Sequence, residues 1–115
     1  IRSLIVWSQM LAKERKMFQG KRLVTRGVAD TIPPEVQMFL WSLLDSLIAK
    51  RTVEVDYIQV FELVGADGQQ MIIHRQEMPD YQVVYQFDNV VNSLNSKLYV
   101  IDDSTYVTML LYQEY

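Results

Sequence analysis

PPEVQMFLWSLLDSLIAK, residues 33–50, is the stretch whose reading decides the fold. Val36, Phe39, Leu40, Leu43, Leu44 and Leu47 recur at the spacing of one face of an α-helix, and Ile48 extends that face. Gln37, Ser42, Asp45, Ser46 and Lys50 fall away from it. Pro33 and Pro34 suit a first helical turn, where a missing N–H has no helical partner to lose. Glu35 at the front and Lys50 and Arg51 at the back complement the helix dipole. Burying each large apolar side chain of this face is worth roughly 1.5–3 kcal/mol before entropy is counted. No other segment offers so continuous an apolar face.

Working backwards, residues 21–28 (KRLVTRGV) alternate as a strand, with lysine and arginine discouraging edge pairing. Asp30 and Thr31 stand as candidate caps for the central helix. Residues 1–16 read as a further helix with Leu4, Ile5, Leu11 and Ala12 on one face, and Gln19-Gly20 as its break. The reading therefore separates an N-terminal helical extension, 1–16, from a single α+β domain, 17–115.

Working forwards, residues 54–64 (EVDYIQVFELV) are dense in β-branched and aromatic side chains, with Gln59 interrupting one face. Gly65-Ala66-Asp67-Gly68 is a turn, and residues 69–78 return as the partner of a hairpin. After Pro79-Asp80, residues 81–88 place Tyr81, Val83, Tyr85 and Phe87 on one face. Residues 89–96 form a polar link. A second hairpin runs through 97–101, a turn at 102–105, and 106–112. Hairpins give antiparallel neighbours. The expected architecture is α+β and two-layer: an antiparallel sheet of about five to six strands packed by the central helix, 33–50, plus the N-terminal helix.

Composition bounds the function. Of 115 residues, 50% are apolar and 22% charged, the balance of a globular chain. No apolar run approaches a membrane span, and residues 1–7 lead into SQMLAKERK without a cleavage pattern. There is no cysteine, which removes thiolate chemistry and suits a cytoplasmic setting. Residues 1–26 hold seven Lys or Arg against one acid, whereas residues 27–115 hold four against thirteen. So polar a split suggests an electrostatic contact surface or self-complementary association.

Candidate chemistry is sparse. His74 is the only histidine, placed mid-strand on the face of Ile72, so a structural role outweighs an acid–base or metal role. Asp102-Asp103 forms a carboxylate pair in a turn without the further acids of a calcium loop. No nucleophile motif, P-loop or GxGxxG occurs, so no cofactor is expected. Lys13, Arg15, Lys16, Lys21, Arg22 and Arg26 form a basic arm, with little aromatic interleaving and a pI near 5.0 against nucleic-acid coating. Tyrosines at 57, 81, 85, 99, 106, 112 and 115 suit an interface or the rim of a core.

Four stretches carry a resemblance: RLVTRGVADTIPPEVQMFLWSLLDSL (22–47), DYIQVFELV (56–64), MIIHRQEMPDY (71–81) and KLYVIDDSTYVTMLLYQEY (97–115). Over residues 17–115 the chain resembles an uncharacterised family of small proteins from Gram-positive bacteria and their mobile elements, the domain of unknown function 960. The resemblance implies a compact bacterial cytosolic domain and supplies no reaction, cofactor or site.

The leading expectation is a non-enzymatic protein-binding or regulatory module that forms a homodimer. Its expected contact surface is Trp7, Lys13, Arg15, Lys16, Lys21, Arg22 and Arg26. The alternatives are a nucleic-acid-associated factor using the basic front, whose binding would fall steeply with salt, and a small metal-dependent or hydrolytic enzyme around His74. The N-terminal segment gives the first test. Sedimentation at micromolar concentration is expected to show a dimer that deletion of residues 1–16 weakens; a monomer indifferent to the deletion contradicts it.

Overall fold

The computed structural model describes residues 17–115. The elements in order are β1 (Lys21–Val24), α1 (Arg26–Thr31), α2 (Pro34–Lys50), β2 (Ile58–Ala66), β3 (Gln69–Gln76), β4 (Tyr81–Phe87), β5 (Ser96–Asp102) and β6 (Tyr106–Leu111). A short 3-10 turn, Tyr112–Glu114, follows β6. The strands form one six-stranded sheet in the order β1-β6-β5-β2-β3-β4. The fold is α+β with a mixed sheet.

The stripe predicted on α2 is the buried one. Leu40, Leu43, Leu44 and Leu47 are buried, while Met38 on the opposite side is 70% exposed. Leu40, Leu43 and Leu44 share a core with Phe61, Leu63, Leu98, Val100 and Met109. Phe39 meets Tyr85 and Phe87 of β4 edge-on, with ring centroids 6.1 and 5.4 Å apart. Alternate residues of β2, β3, β5 and β6 thus turn to α2, and their neighbours turn away.

The all-antiparallel expectation is corrected at β1, which pairs parallel with β6 from Lys21 opposite Tyr106 to Val24 opposite Met109. The two strands lie at opposite ends of the sequence, so no hairpin dictates their relative direction. The expected strand 21–28 is also too long. It ends at Val24, because the Thr25 hydroxyl accepts from the Val28 N–H and caps α1. Asp30 and Thr31 consequently lie in α1 and do not cap α2. The cap position of α2 is Pro33, whose carbonyl accepts from Val36 and Gln37 N–H at 3.0 Å each.

The hairpins form as expected, with shifted ends. Asp67 and Gly68 both adopt positive φ, 52° and 76°, the two-residue turn that matches strand twist. β2 starts at Ile58, four residues later than expected. Glu54 to Asp56 is held instead by side chains: Gln76 Oε1 accepts from the Asp56 N–H at 3.0 Å, and Asp56 accepts from Met78 N–H at 3.2 Å. Asp102 and Asp103 fold their own turn. Asp102 accepts from Phe18 and Ser104 N–H, and Asp103 from Thr105 and Tyr106 N–H, at 2.7–3.0 Å.

The packing of α2 sets a measurable contrast. Leu44→Ala, at a fully buried position, is expected to cost about 2–5 kcal/mol in urea unfolding. Met38→Ala, on the exposed side, is expected to stay within about 0.5 kcal/mol of the parent. Equal losses at the two positions would contradict the orientation of the helix.

Candidate functional site

The two sheet faces differ in chemistry. On the α2 side, four polar residues are buried: Gln59, Gln70, His74 and Gln76. His74 sits directly opposite Phe61 in the β2–β3 pairing, and the two rings stack at 4.4 Å with an interplanar angle of 18°. Tyr81 meets the imidazole edge-on at 5.8 Å. Gln59 donates through Nε2 to the Asp56 carbonyl and to Gln76 Oε1, both at 2.8 Å. Its Oε1 is therefore an acceptor, and His74 Nε2, 2.7 Å away, is the N–H donor. Nδ1 is left as a buried lone pair with no partner.

That geometry keeps the imidazole neutral. Burial first, and the positive charge of Lys50 second, lower the His74 pKa from 6.5 to about 4. A proton arriving at Nδ1 would meet no acceptor. His74 has no exposed surface and is packed between Phe61 and Tyr81. Among the described residues, no group of three or more His, Cys, Asp or Glu is arranged to hold a metal ion.

The glutamines tie strands to connections. Gln76 Nε2 donates to the Glu54 and Pro79 carbonyls at 2.8 Å each. Gln70 accepts from Leu94 N–H at 2.6 Å and donates to the Leu94 carbonyl at 3.1 Å. Sequence reasoning took Gln59 as an interruption of an apolar face and missed these roles. The signal was present: in the hairpin register, Gln59, His74 and Gln76 share a face with Phe61 and Ile72.

The face turned away from α2 carries the other candidate. A groove of about 470 Å³ is floored by Ile58, Val60, Arg75, Lys97 and Tyr99 and flanked by Tyr57, Met78 and Tyr115. Tyr99 is bracketed edge-on by Tyr112 and Tyr115, at 5.9 and 5.4 Å. The Lys97 ammonium lies 4.7 Å from the Tyr112 ring centroid and 5.8 Å from that of Tyr99. Arg75 pairs with Glu62 at 3.1 Å. Tyr115 and Met78 are largely exposed, at 71% and 77%. The 3-10 turn presents these tyrosines because Glu114 is anchored to Thr25 Oγ1 at 2.7 Å and Leu111 N–H at 2.8 Å. Those bonds, the one from Thr25 first, hold the Glu114 carboxyl below its usual pKa.

The basic residues singled out from sequence do not converge on this groove. Trp7, Lys13, Arg15 and Lys16, and the helix expected over 1–16, lie outside the described residues. Lys21 and Arg22 are successive strand residues and point to opposite faces. Arg22 is clamped on the α2 side by the Asp45 carboxylate, with its guanidinium 4.9 Å from the centroid of Trp41. Arg26 projects from α1, 3.9 Å from Asp30.

The pKa of His74 carries a linkage consequence. The unfolded chain takes up a proton near pH 6.5, and the folded chain only near 4. Stability is thus intact above pH 6.5 and falls as pH drops through this window, by about 3 kcal/mol in all. Urea unfolding at several pH values checks it, with His74→Gln expected to lose that part of the slope. An unchanged slope would mean that His74 is not the titrating group.

Comparison with known proteins places the fold. No curated protein matches the sequence. A solved crystal structure, a protein of unknown function from Enterococcus faecalis, is similar to this chain with a TM-score of 0.72 at 18% identity. The match covers 84% of this chain and 91% of that one, and it speaks to the fold alone. A family model described as a Staphylococcal protein of unknown function matches residues 21–114, from the first residue of β1 to the last of the 3-10 turn. This chain belongs to that family, DUF960.

Proposed function

We propose that the chain is a non-enzymatic protein-binding or regulatory module of the bacterial cytosol, and that it grips its partner with the sheet face turned away from α2. The observation that carries this reading is the cluster of Tyr99, Tyr112 and Tyr115 around Lys97, beside Arg75, on the groove of that face. Aromatic residues and arginine are the side chains favoured at the centres of protein interfaces. Burial of His74 supports this reading over hydrolytic or metal chemistry at that residue. The nucleic-acid reading draws less support, because Arg22 is already engaged by Asp45 and Lys21 points to the other face. The lack of cysteine supports a reducing compartment. No helix among the described residues is long and apolar enough to cross a membrane.

The test is a partner-dependent one. A protein captured by the parent chain from its native cells is identified, purified and titrated against the parent and against a Tyr99→Ser, Lys97→Glu variant. Truncating a central interface tyrosine is expected to weaken binding by about tenfold or more, with thermal stability close to the parent's. Equal affinity for the two would contradict the assignment of this face.

A further inference from the structure

The two edges of the sheet are protected very differently. β1 is four residues long and carries Lys21 and Arg22. β4, the other edge, is seven residues, YQVVYQF, without a charge, glycine or proline. Proteins normally blunt an edge by shortening, charging, bulging or covering it. Among the described residues, the segments flanking β4 are drawn away from its open edge. Asn89 turns the chain back in a left-handed conformation, and Val90 N–H bonds the Gly68 carbonyl at 2.7 Å. At the other end, Met78 N–H is drawn to Asp56, ahead of β2.

The backbone parity of this edge follows from the hairpin. The two-residue turn at Asp67-Gly68 makes Ala66 and Gln69 a hydrogen-bonded pair. Even-numbered residues of β3 then direct their N–H and C=O groups toward β4. The same alternation, carried across the sheet, agrees with the bonds from Asp103 N–H to the Tyr106 carbonyl and from Thr25 N–H to the Met109 carbonyl. With Gln76 opposite Tyr81, the backbone groups of Gln82, Val84 and Gln86 point outward.

We propose that a second copy of this chain pairs along β4, antiparallel, about a twofold axis at Val84. The strand is complementary to itself in that register. Val84 meets the partner's Val84, Gln82 meets the partner's Gln86, and Tyr81 meets the partner's Phe87. Every outward backbone group of the strand then has a mate, and a twofold axis is the commonest way for a soluble chain to associate. The two six-stranded sheets become one, with both α2 helices on one side and both tyrosine grooves on the other. The pairing does not depend on the groove reading, although it would make a groove binder bivalent. Charges sit only at the ends, where Asp80 faces the partner's Asp88. Salt screens that repulsion, so this dimer tightens with salt, whereas one held by the basic front would loosen.

Sedimentation of the full chain at tens of micromolar decides it. Val84→Pro removes an outward N–H and no bond to β3. Val84→Lys, at a side chain 48% exposed, sets two ammonium groups opposite each other. The parent is expected to be a dimer that salt strengthens. Each variant is expected to dissociate about tenfold or more readily, with Tm within a few degrees of the parent's. Tyr99→Ser is expected to leave the dimer intact. If Val84→Pro compromises folding, Val84→Lys decides alone. A monomeric parent, a dimer weakened by salt, or a dimer that survives Val84→Lys overturns the proposal.

Discussion

Burial of the leucine stripe of α2 is the constraint on which the rest of the structure depends. A helix repeats every 3.6 residues and a strand every two, so the only surface that Leu40, Leu43, Leu44 and Leu47 can share with the sheet is one set of alternate strand positions. That choice assigns Phe61, Leu98, Val100 and Met109 inward and Val60, Tyr99 and Arg75 to the other face. It also forces His74 inward, because His74 shares its face with Ile72. Once inside, an imidazole needs a partner for its N–H. Gln59 supplies it, and Gln76 in turn satisfies Gln59. The polar core follows from the register, which in turn follows from the turn at Asp67-Gly68.

The two polar systems separate cleanly. Inside, amide side chains hold connecting segments to the sheet: Gln76 binds the approach to β2 and the turn before β4, and Gln70 binds the return toward β5. The amide side chains that make those bonds are buried, where an unmet polar group is costly. Outside, Lys97 lies over aromatic rings and Arg75 beside a carboxylate, both on the floor of a groove. Rigid polar ties beneath and aromatic contacts above suit the platform proposed here for a protein partner.

Much of this was legible in the chain itself. The α2 stripe, the Asp-Gly turn and the alternation of Tyr81, Val83, Tyr85 and Phe87 are local patterns, and local patterns survive into structure. What escaped was non-local or short. Nothing near Lys21 announces that its partner is Tyr106, or that the two strands run in the same direction. Thr25 reads equally well as a strand residue and as a helix cap until the chain beyond it is seen to turn. Gln59 and Gln76 look out of place on an apolar face unless the register that pairs them with His74 is known. The tyrosine cluster needs the C-terminal turn, whose position is set by Glu114 reaching back to Thr25, a contact between opposite ends of the sequence.

The most direct test of the account uses methionines as reporters of the two sides of α2. Met38 is 70% exposed on the outer side of the helix, and Met109 is fully buried in the core that the helix covers. Under mild peroxide, with each sulfoxide followed by peptide mass spectrometry, Met38 is expected to oxidise at the rate of an open thioether and Met109 only as the protein unfolds. A protected Met38, or a Met109 that oxidises alongside it in the folded protein, would contradict the packing from which every other conclusion follows.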